Sequence, residues 1–219
     1  MLRISPYGTE ASLVDGLLPG TAVPICEEFL RQARASSIGV VDVVPAATSV
    51  VVTHAAHEAA TVRRLLANAV QYVTSASNTD GYVTSDRARR VLEPVVEIPV
   101  RYDGADVEEV ANHCGMSPAD VITLHAGATY VVEFCGFSPG FAYLTGLPER
   151  LRLPRRSSPR PRVAAGSVAI AAGYSAVYPR ESPGGWHLLG TTSLTMWDAS
   201  RVAPALLQPG MVVRFVREA

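Results

Sequence analysis

The second half of the chain is dominated by short apolar segments, each bounded by glycine or proline. Branched and aromatic side chains are frequent in these segments, as is typical of β-strands. Many short strands joined by tight turns indicate a closed or nearly closed β-barrel. The segments are TYVVEF, SVAIAAG, SAVYP, WHLLG, SLTMW and MVVRFV, all of which follow residue 128.

The first ninety residues have a different pattern, in which strands alternate with helices. One helix is predicted around residues 25–35, and a second is predicted from Val62 to Val73, where apolar residues recur at three- and four-residue intervals. A short strand is predicted near Leu2–Pro6. The β-branched segments VVDVV and SVVVTH are separated by a short break and are expected to form a hairpin.

These elements predict an α+β chain with two domains. A small N-terminal α/β sandwich domain is expected at residues 1–90, ending in a polar, arginine-rich boundary at residues 78–90. The β-barrel domain is expected at residues 91–219. It opens with the extended segment VVEIPVRY, whose prolines favour a position at the edge of a sheet.

Two short helices are expected between this extended segment and the barrel strands. Asp106 is followed by Glu109 three residues later, which is the spacing of a capping box. Ser117 is followed by Pro118 and Asp120, which place a cap, a first-turn proline and an acidic third residue where helix starts favour them.

All nineteen basic residues are arginines, because the sequence contains no lysine. A chain without lysine has no biotinyl-lysine, no Schiff-base lysine and no P-loop lysine. Any anion held by side-chain charge must therefore be held by arginine. The formal net charge of −1 argues against nonspecific binding of nucleic acid.

Cysteine usage and the N-terminal segment predict a cytoplasmic protein without a membrane span. Cys26, Cys114 and Cys135 are odd in number and far apart, so they form no disulfide framework, and a reducing compartment is expected. The N-terminus lacks the apolar segment of a signal peptide, and both long uncharged stretches are interrupted. His54 and His57 have no third ligand at a useful spacing, so no metal site is predicted.

The segment from Gly136 to Gly140 matches the G-x-S-x-G pattern of a nucleophile elbow. That arrangement uses the backbone N–H of the residue after the serine as an oxyanion donor. Here that residue is Pro139, which has no N–H. A nucleophilic Ser138 is therefore disfavoured, and the segment is interpreted as a rigid loop with an aromatic wall.

Two further loops contain residues suited to binding an anion. The first is rich in arginine and stiffened by proline, so one or two guanidinium groups are placed to bind a carboxylate or phosphate, and a solvated loop is the alternative. The second runs from Tyr178 to His187, where paired glycines allow close approach to the backbone, and a tight structural turn is the alternative. The arginines are Arg150, Arg152, Arg155, Arg156, Arg160 and Arg162.

Three segments from His125 onward resemble, in their order and spacing, the KipI family, which includes the B-type subunit of 5-oxoprolinase and is also known as allophanate hydrolase subunit 1. They are HAGATYVVEFCGFSPGFAYLTGLPERL, LPRRSSPRPRVAAGSVAIAAG and YPRESPGGWHLLGTT. The resemblance extends over essentially the whole chain and implies an α/β domain followed by a cyclophilin-like β-barrel. It also implies a larger partner, either the C-type subunit of 5-oxoprolinase or allophanate hydrolase subunit 2.

The function that the resemblance implies is that of a subunit of a hetero-oligomeric amidohydrolase, an ATP-dependent 5-oxoprolinase that opens 5-oxoproline to glutamate. Because the chain has no lysine, ATP is expected at a subunit interface or on the partner, and this chain carries no biotin. Two alternatives stay open. One is a KipI-like inhibitor of a sensor histidine kinase, and the other is a subunit of allophanate or urea metabolism.

The resemblance and the residue chemistry together predict one site on the barrel domain. Arg155 and Arg160 are expected to hold a carboxylate or phosphate. His125 is expected to orient the ligand or exchange a proton, although a lone histidine at a helix end is more often a satisfied core residue. Glu181 is the fourth candidate catalytic residue. The expected pocket residues are Phe137, Pro139, Gly140, Phe141, Ser182, Gly184, Gly185 and Trp186.

Overall fold

The structure, a computed structural model, describes residues 1–77 and 95–218. The chain divides into two compact units, Met1–Leu92 and Glu93–Ala219. The polar boundary predicted at residues 78–90 lies outside the described residues. Among the residues that are described, no helix combines the length and the apolar character that a membrane span requires.

Among its described residues, the N-terminal unit contains four strands and two long α-helices. In chain order its elements are β1 (Arg3–Pro6), β2 (Ala11–Asp15), α1 (Ala22–Ala35), β3 (Val40–Pro45), β4 (Ser49–His54) and α2 (Ala59–Ser77). The strands form an antiparallel sheet in the order β1-β2-β4-β3. The predicted hairpin is confirmed, because β3 pairs directly with β4. The sequence did not indicate β2, which has only five residues.

The predicted α/β sandwich is confirmed in this unit. The apolar faces of both helices pack against the sheet, with Phe29 of α1 and Leu66 of α2 fully buried. Val50 and Val52 project from β4 into the same core, since alternate residues of a strand lie on one face of the sheet.

The C-terminal unit contains two short α-helices and nine strands among the described residues. Its elements are β5 (Val96–Val100), α3 (Val107–Cys114), α4 (Pro118–Gly127), β6 (Tyr130–Cys135), β7 (Ala142–Thr145), β8 (Arg160–Val163), β9 (Ser167–Ala171), β10 (Tyr174–Val177), β11 (Ser182–Gly184), β12 (His187–Thr191) and β13 (Val212–Arg217). Seven strands form one sheet in the order β12-β9-β10-β7-β6-β13-β5. The strands β8 and β11 form a separate two-stranded ribbon.

The seven-stranded sheet is a nearly closed barrel, as predicted. Arg101 directly follows β5 and forms an antiparallel bridge with Thr191, which ends β12, so the two ends of the sheet meet. Apolar side chains fill the interior, including Tyr130, Ile170 and Phe215. The strand β5 lies at the end of the sheet order, the position that its proline predicted, and it pairs in parallel with β13.

The sequence predicts a capping box at the start of both helices of this unit, and the structure confirms only one of them. At α4 the capping box is confirmed, because the Asp120 N–H donates to Ser117 Oγ at 3.2 Å and the Asp120 carboxylate accepts from the Ser117 N–H at 3.1 Å. At α3 the capping box is wrong, because the side chain of Asp106 makes no cap hydrogen bond. Its carboxylate is bound by two arginines instead.

Strand prediction was also wrong in the segment SLTMW. This segment forms only an isolated bridge between Trp197 and Ala205. Conversely, the sequence did not indicate β7, β8 or β11, which have three or four residues each. The sequences of β8 and β11, RPRV and SPG, are too short and too polar to produce an apolar alternation.

Candidate functional site

The arginine-rich loop and the glycine-rich loop lie side by side in the barrel unit. In the ribbon of β8 and β11, Arg160 is opposite Gly184. The backbone N–H of Arg156 donates to the carbonyl oxygen of Gly185 at 2.8 Å. Two segments that the sequence presented separately therefore form one continuous surface.

A buried carboxylate, that of Asp106, lies at the centre of the charged part of this surface. Only 2% of Asp106 is exposed. Its Oδ1 accepts from Arg160 Nη2 at 2.6 Å and from Arg156 Nη1 at 3.0 Å, and its Oδ2 accepts from the Leu188 N–H at 2.7 Å. Burial raises the pKa of Asp106, but the hydrogen bonds from Arg160 and Leu188 and the charges of both arginines hold that pKa below its ordinary value. The carboxylate is ionised at neutral pH.

Glu109 and His187 extend this network. Arg156 Nη1 also donates to the Glu109 carboxylate. The Nε2 of His187 lies 3.0 Å from the carbonyl oxygen of Pro154, and since a carbonyl only accepts, this nitrogen carries a proton. Its Nδ1 lies 3.7 Å from Glu109 Oε1 and has no hydrogen-bond partner in the described part of the chain. The network therefore ties α3 and β12 to the arginine loop.

Arg155 is exposed, unlike Arg156 and Arg160, which are half-buried. Within residues 1–77 and 95–218, its guanidinium has no salt bridge or hydrogen bond. Burial raises the pKa of the nearby Tyr178 phenol, and the positive charge of Arg155 opposes that rise. In the described part of the chain, only one terminal nitrogen of Arg160 is paired. Nη2 binds Asp106, whereas Nη1 is buried without a partner among the described residues.

An aromatic cluster borders the glycine-rich loop. The ring of Phe141 meets Trp186 edge to face at 5.6 Å between centroids, and it meets Tyr178 in the same way at 5.3 Å. These three side chains are buried. Phe137 lies at the margin of the cluster, 5.2 Å from Phe141, with 62% of its surface exposed. The cluster therefore presents one exposed aromatic side chain to solvent.

The Gly136–Gly140 segment is a tight turn between β6 and β7. The Ser138 N–H donates to the Gly136 carbonyl oxygen at 2.7 Å, and Pro139 is exposed at the tip. Gly140 has a φ of +80°, and a β-carbon there would lie 2.8 Å from Cβ of Trp197. The Ser138 hydroxyl is buried and has no hydrogen-bond partner in the described residues, so no histidine among them activates it. This geometry agrees with the interpretation as a rigid loop.

The two paired glycines have different surroundings. A β-carbon at Gly184 would collide with the phenol oxygen of Tyr178. A β-carbon at Gly185 would lie 3.7 Å from its nearest neighbours, which is ordinary van der Waals contact. Close packing against Tyr178 therefore requires glycine at position 184, whereas position 185 has room for a small side chain.

The structure places His125 in the barrel interior and not on the surface formed by the arginine-rich and glycine-rich loops. It has no exposed area, and its ring nitrogens lie 2.8 Å from the Tyr102 hydroxyl and 2.9 Å from Ser175 Oγ. Its ring also stacks on Phe215. Burial lowers the pKa of His125 to about 3. This environment favours the alternative of a core histidine over a residue that exchanges protons with a ligand.

Glu181 directly precedes β11, and Ser182 is the first residue of that strand. Glu181 is exposed and accepts from Arg162, which is also exposed, at 2.7 Å and 3.0 Å. The Ser182 hydroxyl is buried and has no hydrogen-bond partner within the described ranges. In those ranges, no group of three or more histidine, cysteine, aspartate or glutamate side chains is arranged to hold a metal ion.

Sequence reasoning missed the residues that organise the charged surface. Asp106 and Glu109 were interpreted as a helix cap, and Arg156 was not distinguished from the other loop arginines. The available signal was the excess of charge, because three carboxylates lie at the start of α3, those of Asp106, Glu108 and Glu109, and a later segment is rich in guanidinium groups. Only the fold shows that the start of α3 lies against the arginine loop.

Comparisons with known proteins agree on one family. A family model described as "Carboxyltransferase domain, subdomain C and D" matches residues 2–207. The B-type subunit of 5-oxoprolinase from Escherichia coli O157:H7 is 53% identical over 131 residues, which cover 57% of this chain and 60% of that protein. The match therefore spans less than two thirds of the length of this relative.

Solved structures show the same fold. The protein TTHA0988 matches with a TM-score of 0.73 and 33% identity, covering 100% of this chain and 40% of that chain. The Kluyveromyces lactis urea amidolyase matches with a TM-score of 0.68 and covers 100% of this chain and 15% of that chain. At 19% identity, the second likeness shows the fold alone.

Proposed function

Because the chain belongs to the family of the carboxyltransferase domain, subdomain C and D, we propose that it is a subunit of a hetero-oligomeric, ATP-dependent 5-oxoprolinase. This enzyme would open the lactam of 5-oxoproline to give glutamate. The observation that carries the proposal is the 53% identity with a protein named as a subunit of 5-oxoprolinase.

The charged and aromatic surface suits such a substrate. 5-Oxoproline is a five-membered lactam with one carboxylate, and a guanidinium group binds a carboxylate through two parallel hydrogen bonds. Arg155 is exposed, and Arg160 has one unpaired terminal nitrogen among the described residues. In the proposal, these two arginines hold the substrate carboxylate.

The remaining pocket residues would then surround the lactam ring. Phe137 offers an exposed aromatic face beside the buried Phe141 and Trp186. The glycine-rich loop supplies a backbone that a planar amide can approach closely. Glu181 is exposed and paired with Arg162, and His125 is buried in the barrel. We therefore assign substrate binding to Arg155 and Arg160, and not to Glu181 or His125.

We place the ATP site at the interface with a larger partner subunit. The chain has no lysine to bind the nucleotide phosphates, so the positive charge it contributes comes from arginine. Equilibrium dialysis of this chain alone with labelled ATP should show no tight binding. Stoichiometric, tight binding to the isolated chain would contradict the shared site.

The proposed activity is tested by reconstitution. The chain is combined with the larger subunit and the remaining oxoprolinase component, and ADP release that depends on 5-oxoproline is measured with and without this chain. Loss of turnover on omission supports the proposal. Turnover that is unaffected by omission, or absent with all components present, contradicts it and favours another amide substrate or the kinase-inhibitor alternative.

Single substitutions test the assignment of the surface. Arg155→Ala and Arg160→Ala should each lower activity at least tenfold, about 1.4 kcal/mol of transition-state stabilisation. Arg152→Ala is the matched control, since Arg152 is an exposed arginine of the same loop. Unchanged activity in both Arg155→Ala and Arg160→Ala, with folding confirmed by circular dichroism, would remove these residues from the site.

A further inference from the structure

Asp106 binds more donors than a helix cap or a simple ion pair requires. One buried carboxylate accepts from two guanidinium groups and from the Leu188 backbone N–H. These three donors come from the arginine loop, from the start of β8 and from β12. Asp106 therefore fixes three separate segments relative to the start of α3.

Further hydrogen bonds hold the backbone on both sides of Arg155. Before it, the Pro154 carbonyl oxygen accepts from His187 Nε2 at 3.0 Å. After it, the Arg156 N–H donates to Gly185 at 2.8 Å, and the Arg156 guanidinium is held by Asp106. The exposed Arg155 side chain therefore projects from a segment that is anchored at each neighbouring residue.

Two buried donors argue against a purely stabilising role for this cluster. Arg156 Nε and Arg160 Nη1 have no acceptor among the described residues. A buried donor without an acceptor costs free energy, and apolar side chains often stabilise a fold as well as a buried ion pair does. An arrangement that leaves guanidinium donors unpaired beside an exposed arginine is suited to receiving an acceptor-rich ligand.

We propose that Asp106 is a positioning residue that acts through Arg156 to orient Arg155 toward a substrate carboxylate. The proposal rests on the proposed function for the identity of the substrate. Asp106 itself is buried beneath the arginines and does not contact the ligand. Its role is to keep the segment carrying Arg155 in one place, so that binding does not require the loop to be ordered.

The main experiment is a double-mutant cycle in the reconstituted complex. Asp106→Asn keeps the shape of the side chain and removes its charge, and it should raise KM for 5-oxoproline about tenfold while kcat changes less than about twofold. In an Arg155→Ala background, Asp106→Asn should raise KM only about threefold, because the arginine that Arg156 positions is gone and only the contact of Asp106 with Arg160 is left to lose. Glu108→Gln, an exposed neighbour on α3, is the control.

The outcomes separate a positioning role from general destabilisation. Equal loss of activity with and without Arg155, or a fall in kcat without a rise in KM, would overturn the proposal. If Asp106→Asn does not fold, Arg156→Gln breaks the contact between Arg156 and Asp106 at its more exposed partner. This variant should give the same rise in KM, and that rise should likewise be smaller in an Arg155→Ala background.

A second measurement does not depend on the proposed activity. Phenylglyoxal modifies accessible arginines, and the modified positions can be mapped by mass spectrometry. In the wild-type chain Arg155 should react at least about fivefold faster than Arg156 and Arg160, and Asp106→Asn should remove that difference. An inactive wild-type complex with this pattern contradicts the proposed function alone. Equal reactivity of the three arginines in the wild-type chain contradicts the positioning role.

Discussion

His125 Nε2 lies 2.9 Å from Ser175 Oγ inside the barrel, and this contact fixes the protonation of a histidine with no exposed surface. Ser175 Oγ donates to the Ala169 carbonyl oxygen at 3.3 Å, so it accepts from the N–H at Nε2. The Tyr102 hydroxyl then donates to Nδ1 at 2.8 Å. The imidazole is neutral, and both nitrogens are satisfied.

This arrangement predicts a stability that falls with decreasing pH. The unfolded chain protonates His125 near pH 6.5, whereas burial lowers the pKa in the folded chain to about 3. Between these values the unfolded state binds more protons, so this residue lowers the free energy of unfolding by up to about 1.4 kcal/mol per pH unit as the pH falls. His125→Gln should remove that contribution, as measured by urea unfolding at several pH values.

The control for this prediction is His113→Gln, because His113 is exposed on α3. That variant should keep the wild-type dependence on pH between the two pKa values. If the free energy of unfolding of His125→Gln changed with pH as steeply as that of the wild type, His125 would be protonated in the folded chain. The role as a proton-exchanging residue would then regain support.

The paired glycines give a prediction about packing. Gly184→Ala should displace the Tyr178 phenol, because the new β-carbon and the phenol oxygen cannot occupy the same place. We expect the free energy of unfolding to fall by about 1–3 kcal/mol, the usual cost of overpacking. Gly185→Ala, whose β-carbon has ordinary contacts at 3.7 Å, should cost less than half as much. Equal effects of the two substitutions in chemical denaturation would contradict this difference.

Short-range signals explain why most of the fold could be predicted from the sequence. The helix α2 has a continuous apolar face, and β4 alternates buried and half-buried residues, so each pattern is complete within one segment. The segment SLTMW has a similar composition but pairs only at Trp197. Strand pairing depends on a partner elsewhere in the chain, and a single segment does not contain that information.

The start of α4 tests such a local signal quantitatively. Ser117→Ala removes the hydroxyl that accepts from the Asp120 N–H at 3.2 Å, and loss of an N-cap costs about 1 kcal/mol. Urea unfolding should show that decrease, while Ser157→Ala, at an exposed loop position, should leave the stability within about 0.5 kcal/mol of the wild type. A Ser117→Ala variant as stable as the Ser157→Ala variant would mean that solvent replaces the cap.

The site was less predictable than the fold because its centre depends on tertiary contacts. Asp106 and Ser117 both precede helices and both have an acidic residue three positions later. Ser117 caps its helix, whereas Asp106 lies within reach of Arg156 and Arg160, which are far away in the chain. A charge-assisted bond to guanidinium is stronger than a bond to a backbone N–H, so the arginines determine the orientation of Asp106.

Phe137 combines exposure with an unusual backbone conformation. Its φ is +66°, which is costly for a bulky side chain, and its surface is 62% exposed. Phe137→Gly removes the aromatic face and relieves the backbone, since glycine adopts positive φ freely. The free energy of unfolding should therefore stay within about 1 kcal/mol of the wild type. KM for 5-oxoproline in the reconstituted complex should rise at least about threefold.

Tyr7 provides the comparison, because it is an aromatic residue with the same 62% exposure in the other unit. Tyr7→Ala should leave KM unchanged, so a rise confined to Phe137→Gly assigns the effect to the predicted pocket rather than to the loss of an exposed ring. An unchanged KM in Phe137→Gly would exclude contact between Phe137 and the substrate. A large loss of stability would mean instead that the contact with Phe141 holds the turn in place.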